Sequence, residues 1–310
     1  MALTIGQIAA ISYPAVLADN RKAANQWSES AFLRELERQG AIVRKSLGST
    51  IEAPLDYRRN PGAGFLTSPL QPTSLSETEI VTAAQYDIAE LSVPMTWSKK
   101  IEVQNPTENQ KIAFVKQMIE NGIDSHDDLI ESALFTASTN GFLGLPTHIP
   151  TSGQGSDGGI DSSVESWWRC VSVTYVDDTD IESAFTTGWN TASKGSGSKL
   201  QPTLMVSDAA TQALFEGTQQ ANQRYVDTDE LKAGFKILAF KTARYVFSQY
   251  GTSSVYGINP KNFQVVVSKE YFRDRGETQE IQNANGFTSK IYSALQTVTN
   301  NRSRLFVAHV

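Results

Sequence analysis

The sequence predicts an α+β chain made of a leading arm, an extended hairpin, one long amphipathic helix and a mixed sheet interrupted by an inserted second unit. Three observations carry this. Two strand-like stretches, Thr50–Tyr57 and Glu79–Trp97, flank Arg58–Ser76, a run holding Pro61, Gly62, Gly64, Pro69 and Pro72; strand, breaker-rich tip, strand is the pattern of a long hairpin. Between Thr107 and Ser138, Ile112, Val115, Ile119, Ile123, His126, Ile130 and Ala133 step by three or four residues, which lines them along one helical face. Helical and strand patterns then mix from about residue 177 to 270, and further strand candidates close the chain, so the first unit is interrupted by a second.

The segment before Ala23 is irregular and reads as an extended arm. Ala23–Gln39 reads as a helix, with Trp27 and Ala31 four apart, Phe32 and Leu36 four apart, and Gly40 as the stop. A two-stranded hairpin is marginal alone in water, so the stretch after it must lie on another surface, its own body or a neighbour. Gly122 falls inside the long helical pattern. Glycine is unfavourable there by about 1 kcal/mol against alanine, so the helix either kinks or divides into two, with Ser125 opening the second. On the other side of the helix Asp124, Asp127, Asp128 and Glu131 share one stripe. It is either a solvated face or a docking rail for a basic surface.

Gly141–Asp161 is rich in Gly, Ser, Thr and Pro and reads as a loop, followed by a strand over Trp167–Tyr175. Thr179-Asp180-Ile181-Glu182 matches a capping box, opening a helix to about Ala192. Lys194–Ser198 is a flexible glycine-serine piece. Pro202–Val206 reads as a strand, and Ser207 is placed to cap a helix through Gln220. Phe235–Phe240, Tyr245–Phe247 and Phe263–Val267 are strand candidates. Lys290–Val298 and Arg304–Val310 are expected to return to one sheet begun by Trp97–Val103 and Trp167–Tyr175.

Composition narrows the function. The 310 residues are 40% hydrophobic and 19% charged, with net charge −6, so there is apolar mass for a core and no global attraction to phosphate backbones. No stretch reaches the about 18 apolar residues of a membrane span, and no basic residue precedes the mildly apolar Ile5–Ala18, which argues against a secretory signal. Asn301-Arg302-Ser303 then fits the glycosylation pattern by chance. The single cysteine, Cys170, reads as a small core residue.

Chemistry-bearing motifs fail their context tests. Gly153-Gln154-Gly155-Ser156-Asp157-Gly158 is a literal G-x-G-x-x-G. A nucleotide site needs a strand before it and a helix opening on it, whereas Pro146 and Pro150 precede it and no helical pattern follows. His126, His148 and His309 lack metal-ligand spacing. His126-Asp127-Asp128 point about 100° apart on a helix and cannot converge on one ion. We therefore expect no catalytic, cofactor-binding or metal-ligating residues and no cofactor.

Several stretches, in their order, resemble the tailed-bacteriophage major capsid proteins of the Hong Kong 97 fold. They are Ala133-Leu134-Phe135 leading to Gly144-Leu145-Pro146, Gly158-Gly159-Ile160-Asp161 before Trp167-Trp168-Arg169, Pro202-Thr203-Leu204-Met205-Val206-Ser207, and Gln223-Arg224-Tyr225 before Ala233-Gly234-Phe235. The likeness spans essentially the whole chain. It implies an α+β Hong Kong 97-type capsid fold: an N-arm (residues 1–45), an extended E-loop hairpin (46–99), a discontinuous peripheral domain (100–176 and 271–310) with a spine helix at 107–138, and an inserted axial domain (177–270). It further implies a homo-oligomer of hexamers and pentamers that encloses double-stranded DNA non-specifically, as part of a virion assembled in the host cytoplasm without a membrane. Scaffolding and portal proteins would be separate partners, with room for a decoration protein; the fold begins almost at Met1, so a scaffolding segment would be a separate protein or one already absent from this sequence. Contact candidates between subunits are Trp27, Phe32, Arg58, Arg59, Phe65, Asp124, Asp127, Asp128 and Glu131, with the arginine pair at the hairpin tip meeting the acidic helix stripe. Some relatives cross-link through an E-loop lysine. None occurs from Gly48 to Ser98, so no such covalent mesh is expected. Two other readings stay open, an encapsulin-type compartment and a soluble hydrolase with a polar pocket.

Overall fold

In the computed structural model, the described residues are 30–59, 63–65, 79–104, 108–194, 200–219 and 238–310. Trp27, most of the arm and most of the hairpin tip lie outside them, as do Gln223-Arg224-Tyr225 and Ala233-Gly234-Phe235.

Two sheets organise the chain. The first has five strands. Ile42–Lys45 runs parallel to Phe263–Arg275, which pairs antiparallel with Gly286–Thr299. The other edge of Gly286–Thr299 takes Ala89–Ser98, and Gln279–Glu280 adds a short piece. The second has six strands in the order Leu238–Phe240, Ala243–Phe247, Leu204–Ser207, Val255–Ile258, Phe306–His309, Val171–Thr174. The final strand therefore does return to the segment after Trp167, and Gly286–Thr299 does pair with the strand ending near Trp97. These are two different sheets, however, and not the single one expected. Phe263–Val267 likewise joins the five-stranded sheet and not the second unit. Strand patterns report faces, and they carry no record of which edge a strand will find.

The long helix is one continuous element, Glu108–Leu134, about 40 Å long at 1.5 Å per residue. Val115, Ile119 and Ile123 pack on Met95, Trp97 and Ile291 of the five-stranded sheet. Ile112, placed on the buried face by spacing, is 41% exposed. Gly122 does not divide the helix. A Cβ there would lie 3.0 Å from Met95 Sδ and 3.3 Å from Ile291 Cδ1, so glycine lets helix and sheet approach closely.

The predicted hairpin exists: Thr50–Asp56 pairs antiparallel with Val81–Asp87. The second stretch is not one strand. It breaks at Ile88 and continues as Ala89–Ser98 in the five-stranded sheet, and the continuation to Val103 is a short helix, Lys99–Gln104. The base of the hairpin also finds its core within its own chain. Ile51, Ala53, Leu55, Ala84 and Tyr86 are buried against Trp168, Val266 and Val298, and Tyr86 OH donates to Thr299 O at 3.2 Å. The Gly158 carbonyl accepts from Gln85 N at 3.0 Å, and a Cβ on Gly158 (φ +60°) would sit 2.6 Å from Ala84 Cβ. The last glycine of the literal G-x-G-x-x-G thus seats the hairpin.

Two apolar cores flank the six-stranded sheet. On one face Asp178–Ser193 and Ala209–Gln219 bring Phe185 and Phe215 onto Phe240 and Tyr245, with ring centroids 5.1 to 5.8 Å apart; such pairs add about 0.5–1.5 kcal/mol each beyond burial. On the other face Leu204, Val206, Ile258 and Val307 meet Phe32, Leu33 and Leu36 of the helix Ala31–Arg38, and Val265, Val267 and Leu295 of the first sheet. Caps differ from expectation. Asp177, not Thr179, caps the first helix by accepting from Thr179 N at 2.9 Å, and Asp208, not Ser207, accepts from Thr211 N at 3.0 Å. The loop over Gly141–Asp161 contains two short ribbons and one helical turn, Leu145–His148. Cys170 is buried, which pushes its thiol up to about 11, so it stays protonated and inert.

Candidate functional site

The acidic stripe of the long helix, expected to be either solvated or a rail for a neighbour, mostly ties the helix to its own chain. Arg273, at a register shift near the end of Phe263–Arg275, pairs with Asp127. His126 is fully buried beside it, with Nδ1 3.0 Å from Asp127 Oδ1 and Nε2 2.8 Å from Ser293 Oγ. Ser293 Oγ in turn accepts from Arg273 N at 2.7 Å. The carboxylate can only accept, so this pattern holds the imidazole as its Nδ1–H tautomer. Glu131 is 5% exposed and accepts from Ser248 Oγ at 2.6 Å. Asp128 is exposed and accepts from Tyr250 OH at 2.6 Å and Gln249 Nε2 at 3.0 Å. Asp124 is exposed.

Burial lowers the His126 pKa first, with the neighbouring Arg273 charge acting in the same direction against the Asp127 hydrogen bond. A folded value below the unfolded one gives stability that is present above about pH 6.5 and lost as pH falls through the folded value. Burial raises the Glu131 pKa, which acts with the opposite sign. Lowering pH from 7 toward 5 is therefore expected to shift the denaturant midpoint down through His126. His126→Asn is expected to flatten that slope; an unchanged slope would assign the loss to other groups.

A second buried cluster locks the glycine loop to the hairpin and the first sheet. His148 Nδ1 lies 3.0 Å from Asp157 Oδ2, and its Nε2 2.7 Å from Thr297 Oγ1. Arg302 donates to His148 O at 2.8 Å and Gly155 O at 2.9 Å, and its Nε lies 3.6 Å from Asp157 Oδ2. Burial first, then the Asp157 charge, pushes the Tyr86 phenol well above its ordinary range. The carboxylate–imidazole–hydroxyl order imitates a hydrolase relay. His148, Thr297 and Arg302 are however 0% exposed, and the Thr297 hydroxyl donates to the Leu143 carbonyl. No substrate atom has room beside it, so the cluster serves the fold.

The predicted contact residues are thus dispersed. Phe32 is a correction: it is 0% exposed, with its ring tilted against Phe135 at a centroid distance of 5.3 Å inside its own core. Glu131 is a second, being buried under the Ser30–Ser248 hydroxyls. Asp127 is committed to Arg273. Arg58 and Arg59 are exposed at the end of the hairpin strand, and Phe65 is fully exposed. Beside that strand end the structure forms a notch missed from sequence. It is a 390 Å³ cavity lined by Tyr57, Glu79, Asp161, Val164, Glu165 and Trp167, among others. It arises only when the hairpin docks on the glycine loop, which stacks Tyr57 on Trp167 with centroids 5.0 Å apart. No periodicity links residues 57, 79 and 161–167.

A hairpin laid on the body, a long helix across a twisted sheet and a second sheet with its own helices define a class: the chain has the Hong Kong 97-type fold of tailed-phage capsid proteins. Among solved structures it is similar to a chain of the cyanophage A-1(L) capsid asymmetric unit, with TM-score 0.61 and 15% identity over 87% of this chain and 90% of that one. It is similar too to the capsid of the myovirus XM1, with TM-score 0.54 and 12% identity over 87% and 90%. The holo-SrpI encapsulin complex from Synechococcus elongatus PCC 7942 gives TM-score 0.55 and 8% identity over 88% and 86%. No protein-family model and no curated protein matches the sequence. Among the described residues no helix is long and apolar enough to cross a membrane.

Proposed function

We propose that this chain is the major capsid protein of a tailed double-stranded DNA bacteriophage, assembling as pentamers and hexamers into an icosahedral head. The observation that carries it is a likeness covering about nine-tenths of both chains to viral capsid subunits. In this reading the chain is structural and not an enzyme. Residues 46–99 are the E-loop, Glu108–Leu134 is the spine helix, and the six-stranded sheet with its two helices belongs to the axial domain. Net charge −6 suits a wall that holds DNA without gripping it. Scaffolding and portal proteins, with room for a decoration protein, would be its partners, and the product a virion.

Particles from the chain expressed with its neighbouring genes, imaged by electron microscopy, test this. Closed heads filled with DNA are expected. Shells filled with an enzyme would favour the encapsulin reading, which the likeness to the SrpI complex keeps in play. Only soluble monomers under those conditions would end both. Dissociated heads are expected to run as single chains on a denaturing gel, because the segment Gly48–Ser98 offers no lysine for a covalent link. A ladder of covalent oligomers would contradict that.

A further inference from the structure

We propose that the notch beside Tyr57 is the receptor for the Arg58-Arg59 pair of a second copy of this chain, in a two-fold contact where each copy supplies both halves. This rests on the shell reading above and names the surface that the arginines meet.

Of the helix stripe, Asp127 and Glu131 are occupied within the chain, which leaves only Asp124 and Asp128 exposed. The notch has the complementary chemistry. Its walls carry Glu79, Asp161 and Glu165 and, among the described residues, no lysine or arginine. Arg169, which follows Trp167 and Trp168, donates to the Ser162 and Ser163 carbonyls. Its floor is the stacked pair Tyr57 and Trp167. A planar guanidinium suits such a site because it can lie on an aromatic face while pairing with carboxylates at its edge. The apolar rim residue Val164 is 77% exposed, so an occupant would also remove apolar surface from water.

Position supplies the second half. Tyr57 is both a wall of the notch and the residue before Arg58. Receptor and ligand therefore lie side by side on one surface. A patch that carries both halves of a contact is self-complementary, and self-complementary patches close around a two-fold axis. Two copies so related place each arginine pair over the other's carboxylates, and an icosahedral shell contains such axes.

Mixed assembly tests it. One chain carries Arg59→Cys and the other Val164→Cys, both at exposed positions, while the native Cys170 is buried. Particles assembled from the mixture and then oxidised are expected to contain a covalent dimer joining one of each. Particles that form without that dimer would overturn the contact while leaving the capsid reading intact. Failure of the unsubstituted chain to form any particle would count against the capsid reading instead. As an independent arm, the double variant Arg58→Glu, Arg59→Glu is expected to lose particles, and mixing it with Glu79→Arg chains to restore them. No rescue, with both chains folded by circular dichroism, would likewise overturn the proposal.

Discussion

Replacing Arg302 by methionine is expected to lower stability by about 3–5 kcal/mol, the usual consequence of leaving one partner of a buried ion pair alone. Arg302 is 0% exposed, and Asp157 2%. Asp157 Oδ2 already faces His148, while its Oδ1 carries no hydrogen bond among the described residues. Removing the guanidinium strips the carboxylate of its countercharge, leaves the His148 carbonyl without that donor, and takes one donor from Gly155 O, which keeps the Ser162 hydroxyl at 3.0 Å. The damage should centre on the glycine loop and the hairpin base above it, seen as faster amide exchange around Gln85 and Gly158, which are hydrogen-bonded to each other. The double variant Arg302→Met, Asp157→Asn is expected to recover part of the loss, because the uncompensated charge is then gone. A thermal midpoint unchanged by Arg302→Met would show that the cluster contributes nothing.

Gly257→Ala is expected to be comparably severe for a change of one methyl. A Cβ there would fall 1.9 Å from Cε1 of Phe306, and Phe306 is 0% exposed. The ring cannot swing toward the helix, because a Cβ at Gly188 would already lie 2.7 Å from its Cδ2; it is clamped between two glycines. Overpacking of a dense core costs about 1–3 kcal/mol and sometimes more, and here it strikes the junction of Val255–Ile258 with Phe306–His309. Coupling identifies the cause. In Gly257→Ala, Phe306→Leu the smaller side chain vacates the contested volume, so the two losses are expected to sum to less than additive. Strict additivity in chemical denaturation would place the defect elsewhere.

How far the architecture could be read beforehand differs from element to element. The long helix was legible because its apolar positions recur every three or four residues, and the hairpin because breakers separate two strand-like runs. The Ile88 break was not legible, since nothing in Glu79–Trp97 marks where one sheet hands the strand to another. Nor was the inward turn of Glu131. A carboxylate on a helix reads as solvated until a hydroxyl such as that of Ser248, 117 residues away in sequence, comes to meet it. The contact candidates suffered from the same limit: Phe32 was apolar and in an arm, yet the core it joins is its own.

The amino-acid sequence by itself determined the long helix, the hairpin, the absence of lysine from Gly48 to Ser98, and a family likeness that the fold then shared. Those properties are local or compositional, so neighbouring residues suffice to express them. Only the tertiary structure decided that the strands divide between two sheets, that the hairpin base rests on its own body, that the acidic stripe is spent internally, and that an acidic aromatic notch opens beside Arg58. Each of these depends on contacts between segments far apart along the chain, where edge, partner and exposure are set by packing and not by pattern.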